Sequence, residues 1–329
     1  MATTRMATAT LRILPLVAVF AFAATVAQGQ PYPSKPVRIV LGFPPATTVD
    51  VLVRPLAQKL GESLGQQFVV ENRPGATGLI ANEAVARATP DGYVLLGAPG
   101  SSLTSSPQLH AKPPFDALKD FAPIAQIGAF GYVFIAHPGV PSTNVKQLVS
   151  LARAKPGFLT YGSSGIGSGF HLAGELFTSM AGVKMLHVPY KGGTAALNDM
   201  LAGRIDMTFD SFTVYEDHIR SGRVRALGVT SKGRVGALPD VPTIAEQGLA
   251  GYDVSNWLGV FAPAGTPADV VETIHEALGR TMETPALRKQ LIGLGIEPVF
   301  DTPEAFADLL KQDLPRWKDI VGKSGAKAE

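Results

Sequence analysis

The sequence predicts an α/β protein built as two lobes, each a parallel sheet flanked by helices. Three observations predict it. Short apolar runs alternate with stretches of helical period, first over residues 37–97 and again after residue 121. Hydrophobic residues make up 46% of the chain and charged ones 17%, a balance that suits large packed cores. Loops rich in Gly, Ser and Thr follow several of the apolar runs, as at the carboxyl ends of open parallel sheets.

Val37 to Leu41 reads as a buried strand running into a loop, Gly42 to Thr48. A helix follows, with Val53, Leu56, Ala57, Leu60 and Leu64 at helical spacing and Gly65 as its stop. Pro55 suits a first turn, so regular helix is expected to begin after Asp50. Phe68 to Val70 is the next strand and Leu79 to Ala88 the next helix. Tyr93 to Gly97 is then a strand emptying into Ala98 to Ser102. Such alternation implies parallel pairing through crossovers.

The second set begins with a strand at Tyr132 to Ala136 and a helix at Val145 to Ala154, capped by Thr143 or Asn144. Strands follow at Leu159 to Tyr161, Met185 to Val188, Met207 to Phe209 and Val224 to Val229. Helices at Phe170 to Ala181, Ala195 to Leu201 and Tyr215 to Arg220 separate them. Ser231 to Gly251 lacks periodicity and reads as a long connection. A late strand, Val254 to Phe261, precedes helices starting after Pro267, at Pro285 and at Pro303. Crossings near Ala129 and Tyr252 would assign residues 30–129 plus 253–329 to one lobe and 130–252 to the other. The terminal helices would return to the first lobe.

Residues 1–29 read as a secretory signal. Arg5 and Arg12 precede an apolar stretch of 15 residues, Ile13 to Ala27, and small residues suit cleavage near Ala27 to Gly29. At about 1.5 Å per residue that stretch reaches about 22 Å, short of a roughly 30 Å hydrocarbon core. Export to the periplasm is the expectation. Without Arg5 and Arg12 the cations fall from 29 to 27, matching 27 acids, so the exported chain is formally neutral. No basic stripe with interleaved aromatics marks a nucleic-acid surface. Cysteine is absent, which removes thiol catalysis, thiol redox chemistry and thiolate metal sites together.

Catalytic motifs fail one by one. Gly162-Ser163-Ser164-Gly165-Ile166 has Ile where a nucleophile elbow needs its last Gly. Gly165-Ile166-Gly167-Ser168-Gly169-Phe170 places its third Gly one residue early for a dinucleotide fingerprint. Gly322-Lys323-Ser324 has Trp317 where a P-loop needs its leading Gly. None of the six histidines has metal-ligand spacing to another His; His171 and Glu175, one turn apart, read as a surface hydrogen bond. No cofactor or metal is expected.

The loops after strands are the informative feature. Phe43, Ala46, Thr47 and Thr48 follow the first strand, and Ser101 and Ser102 the third. Ser163, Ser164, Gly167 and Ser168 precede the Phe170 helix. Helix N-termini offer free N–H groups and partial positive charge, so these loops can hold a carboxylate without an Arg. Each serine, considered alone, is equally a cap or turn residue. Asp210 closes the Met207 strand and either orients loops, selects a ligand amine or hydroxyl, or caps the Tyr215 helix.

Several motifs together resemble a family. Tyr32-Pro33-Ser34-Lys35-Pro36-Val37-Arg38, Glu71-Asn72-Arg73-Pro74-Gly75-Ala76 and Pro90-Asp91-Gly92-Tyr93 are similar to the extracytoplasmic solute receptors of tripartite tricarboxylate transporters, the Bug-type receptors. So are His187-Val188-Pro189-Tyr190-Lys191-Gly192, Leu238-Pro239-Asp240-Val241-Pro242-Thr243 and Ala262-Pro263-Ala264-Gly265-Thr266-Pro267. The resemblance implies a type II periplasmic-binding-protein fold, a Venus flytrap of two Rossmann-like lobes with the ligand between them. It also implies a monomeric, non-enzymatic receptor that delivers a small carboxylate to membrane permease subunits. Its carboxylate-holding loops carry over to Phe43 through Thr48 and Ser163 through Ser168. Where the family has Gly-Gly in the first loop, this chain has Ala46-Thr47. A sensor feeding a membrane signalling partner would close the same way, and a periplasmic serine hydrolase is the enzyme alternative.

Overall fold

Strand β1 (Val37–Leu41) is buried at four of its five positions because helices cover both faces of its sheet. The structure, a computed structural model, describes residues 2 and 32–324, so the proposed signal segment lies outside the described residues. Helix α1 (Thr48–Leu64) buries the stripe Leu52, Val53, Leu56, Ala57 and Leu60, and Gly65 ends it in the left-handed conformation. It begins two residues before Asp50 and carries Pro55 in its interior, where the sequence placed Pro55 in the first turn. The loop brace described below fixes that early start. Strand β2 (Phe68–Asn72), helix α2 (Leu79–Ala86) and strand β3 (Val94–Pro99) complete the set, and β1 pairs in parallel with both strands. Residues read as a loop after β3 instead form the short helix α3 (Gly100–Thr104).

Strand β4 (Phe121–Ala136) runs 16 residues, far beyond the expected Tyr132 start. Then come α4 (Val145–Ala154), β5 (Thr160–Ser163), α5 (Gly169–Ala181), β6 (Leu186–Pro189) and α6 (Gly193–Leu201). β7 (Met207–Ser211), α7 (Phe212–Arg220), β8 (Arg225–Val229) and β9 (Ser255–Pro263) follow. Asn144 caps α4 by accepting from Gln147 N. The chain ends in α8 (Ala268–Met282), α9 (Pro285–Gly293) and α10 (Pro303–Ser324).

The strands join in the order β2-β1-β3-β9-β4-β7-β5-β6, with β8 also on β4. β5 is parallel to β6 and β7, mirroring the first set. The two sets meet through antiparallel strands: β4 pairs with β9 over Phe121 to Gly131, then with β7 and β8 from Tyr132 onward. α10 packs on α3 and β4 and also on α5 of the second set. Its Asp313 is a buried hub, accepting from both Trp257 Nε1 (2.8 Å) and Trp317 Nε1 (3.0 Å). No helix among the described residues is long and apolar enough to cross a membrane.

Candidate functional site

A cavity of about 720 Å³ opens where the carboxyl ends of β1, β3, β5, β6 and β7 face one another across β4 and β9. Its floor is polar and fully paired. Asn256 of β9 donates to Ser101 Oγ (3.0 Å) and Tyr132 OH (2.8 Å), and accepts from Ser101 N (3.1 Å). Phe130, Phe170, Ile166, Val214 and Leu258 supply apolar walls. Among the described residues Lys191 is the only Lys or Arg lining it, and Asp210 the only carboxylate. Its hydrogen-bond donors are therefore chiefly backbone N–H and hydroxyl groups.

Helix ends supply them, those of α1 and α5 among them. Thr48 and Val49 of α1 and Gly169 and Phe170 of α5 line the cavity. First-turn N–H groups lack intrahelical partners and carry the positive end of the helix dipole. The loop before α1 is held by Asp50, whose Oδ2 accepts from Ala46 N (3.0 Å) and Arg54 Nε (3.0 Å). Its Oδ1 accepts from Arg54 (2.7 Å) and Asn72 (2.9 Å), and Asn72 also donates to Phe43 O (2.9 Å). Burial opposes the Asp50 charge, but the bonds from Arg54, Asn72 and Ala46 hold its carboxyl below the ordinary range. Ala46 adopts φ 63, so the loop keeps a left-handed turn that glycine would take without strain.

The loop before α5 is held differently. Ser163 Oγ bonds His187 Nε2 (2.7 Å), His187 stacks on His171 at 4.0 Å, and His171 Nδ1 accepts from Gly167 N (3.1 Å). His171 lies 3.7 Å from Glu175, which pairs with Tyr161 OH in a short hydrogen bond. Burial lowers His171 to about 4; burial and then the neighbouring His171 lower His187 to about 3. Both rings are neutral near pH 7. The sequence read His171 and Glu175 as a surface pair; the structure buries His171 and half-buries Glu175 in this cluster, because α5 packs that face onto β5 and β6.

Of the residues singled out from sequence, Phe43, Thr47, Thr48, Ser101, Ser164, Ser168 and Asp210 line the cavity. Ala46, Ser102, Ser163 and Gly167 do not. Ala46 N is spent on Asp50, and Ser102 Oγ donates to Pro99 O (2.9 Å). Ser163 is 0% exposed and faces His187, so it presents no nucleophile to the cavity. Gly167 turns its carbonyl to Ser105 and Ser106 of the first set (3.4 and 3.2 Å), bridging the two sides of the cleft. Thr47 Oγ donates to Pro44 O (2.8 Å), and Ser168 accepts from His171 N (3.2 Å) as the cap of α5. Asp210 does not cap α7: the N-cap is Ser211, and Asp210 Oδ1 meets only Ser211 N (2.7 Å) and Oγ (3.4 Å). Burial pushes Asp210 up to about 7, only partly offset by the Ser211 bonds.

Sequence reasoning missed the segment Pro74 to Thr77, which lines the cavity with Ala76 and Thr77 at φ 46 and 52. It also missed Asn256, although a lone amide inside the apolar run of β9 is the kind of buried polar group that calls for a partner.

A cavity between two α/β strand sets, walled by helix N-termini, is the site arrangement of a solute-binding receptor. The pattern described as "Tripartite tricarboxylate transporter family receptor" matches residues 52–326, and the chain belongs to that family. It is 40% identical over 291 residues to the UPF0065 protein of the tcbD-tcbE intergenic region of Pseudomonas sp. (strain P51), covering 88% of this chain and 86% of that one. BugT of Bordetella pertussis is 32% identical over 320 residues, 96% and 98% of the two chains. Among solved structures, R. palustris Rpa4515 with adipate superposes with TM-score 0.86 at 32% identity, covering 90% of this chain and 99% of that one. The periplasmic binding protein BugD gives 0.84 at 35% identity over 91% and 100% of the chains. MatC of Rhodopseudomonas palustris with bound malate gives 0.81 at 28%, over 88% and 100%.

Proposed function

We propose that this chain is a periplasmic receptor that closes around a small carboxylated organic anion and hands it to the permease subunits of a tripartite tricarboxylate-type transporter. In this reading residues 1–29 are removed on export and the receptor acts as a monomer. Residues 30–129 with 253–329 form one lobe and 130–252 the other. The observation that carries the reading is the pair of helix N-termini, α1 and α5, opening into one cavity with a single lysine. The adipate and malate held by the two R. palustris neighbours support it. Within the site, the N–H groups of Thr48, Val49, Gly169 and Phe170 and the hydroxyls of Thr48, Ser164 and Ser168 grip the carboxylate, while Phe43 and Thr47 shape its pocket and Ser101 secures the floor. Closure then follows from contacts made only when both loops meet the ligand.

A thermal-shift screen against mono-, di- and tricarboxylates and aromatic acids tests this. A ligand at 100 times its Kd adds about 2.7 kcal/mol of stability. Silence across the panel from a folded protein rejects the carboxylate reading.

A further inference from the structure

Asp210 ends β7 at the cavity wall and is 1% exposed. Its two carboxylate oxygens have different surroundings. Oδ1 accepts both hydrogen bonds from Ser211, while Oδ2 is buried and has no partner. Gly193, the first residue of α6, approaches so closely that a Cβ there would lie 2.9 Å from Oδ2. Glycine at that position leaves room for Oδ2 beside the Tyr190 to Thr194 wall. Among the described residues Asp210 makes no ion pair, and neither the 43–48 loop nor the 164–169 loop donates to it. Capping does not use this oxygen either. A buried acceptor in a ligand cavity is costly until a donor arrives.

We infer that Asp210 is a specificity-determining residue that receives a hydrogen-bond donor, a hydroxyl or protonated amine, carried by the ligand away from its carboxylate. The inference rests on the carboxylate-receptor reading above, with the carboxylate at the ends of α1 and α5. A second carboxylate placed at Oδ2 would set two anions in contact in a desolvated site, relieved only by a shared proton. A hydroxyl or ammonium satisfies Oδ2 without that proton, and the apolar walls of Phe130, Val214 and Leu258 suit an uncharged body between the two poles.

The test is isothermal titration at pH 8 with unbranched acids of four to eight carbons. Each acid is compared with its ω-hydroxy, ω-amino and ω-carboxy counterparts, on wild type, Asp210→Asn and Asp210→Ala. At the best-fitting length, a hydroxy or amino probe should bind wild type at least tenfold tighter than the plain acid. Asp210→Asn should lose the amine preference and Asp210→Ala both preferences, with plain-acid affinity kept within about threefold. Equal affinity for plain and donor-bearing acids in wild type overturns the inference, as does a preference that survives in both variants. A dicarboxylate that binds tightest and loses its advantage in the variants overturns it too, by showing a shared proton. Binding of no probe at all rejects the carboxylate-receptor reading itself, whereas plain-acid binding without a donor increment rejects only the role of Asp210.

Discussion

The two loops that face the cavity do the same task by opposite electrostatic means. The loop before α1 hangs on an ionised carboxylate: Asp50 gathers Ala46 N, Arg54 and Asn72, and its guanidinium partner is half exposed. The loop before α5 hangs on neutral rings, His171 and His187, kept uncharged by burial. In the proposed receptor, aiming backbone donors requires a brace, not a charge of given sign. The charged brace tolerates neutral and alkaline pH equally, while the imidazole brace is vulnerable to acid.

That contrast can be broken at each end. Asp50→Ala should have the largest effect, because it leaves Ala46 N and Asn72 without their acceptor and Arg54 without its partner. We expect a loss of about 2–3 kcal/mol in urea unfolding and at least a hundredfold weaker binding of the best carboxylate. A full stability loss with affinity intact would show that the brace does not aim the donors.

The second effect is pH dependence. His171 has a folded pKa of about 4 against an ordinary 6.5, so the unfolded chain takes up its proton first as pH falls. The resulting stability is complete above about 6.5 and is lost progressively down to about 4. Asp210, raised to about 7, acts in the opposite sense, gaining stability as pH falls from 7 towards 4. The readout is therefore the difference between proteins. Wild type should lose about 2 kcal/mol more than His171→Gln between pH 7 and pH 4 in denaturant titrations.

Next in size, Ser163→Ala and Ser168→Ala should separate two serines that the sequence treated alike. Ser163→Ala unpairs His187 behind the cavity, costing about 1–2 kcal/mol with binding changed less than threefold. Ser168→Ala costs about 1 kcal/mol as a cap and also weakens binding about tenfold, since its hydroxyl lines the cavity. Identical profiles for both variants, measured by melting and titration, would erase the distinction. The smallest effect is Ala46→Gly. Relief of the left-handed alanine, less the added entropy of glycine, should stabilise by about 0.5 kcal/mol, seen as a small rise in Tm.

Strands and helices whose faces are uniformly buried were legible in the sequence, as β1, α4, α5 and α8 show. The first half of β4 was not, because Pro123, Gly128 and Gly131 interrupt its run of strand-forming residues. The strand absorbs two of them with register shifts at Pro123/Ala125 and Gln126/Gly128. The early start of α1 was hidden because the contact that holds its first turn, Asp50 with Asn72, joins residues 22 positions apart. At the site, loops contiguous in sequence were legible. Partnerships made across the fold were not: Ser163 with His187, Asn256 with Ser101 and Tyr132, and Gly167 with Ser105 and Ser106. Ala46, which stands with Thr47 where the resembled family has Gly-Gly, takes a positive φ.

The hub at Asp313 has an optical consequence. The chain has two tryptophans, and both indoles donate to the same carboxylate oxygen. Trp257 directly follows Asn256, the residue that ties Ser101 to Tyr132 under the cavity. All of the protein's indole fluorescence therefore arises from one dry spot behind the ligand chamber. A ligand that pulls on Asn256 shifts the field at both emitters together, so the unlabelled protein carries its own gauge of occupancy.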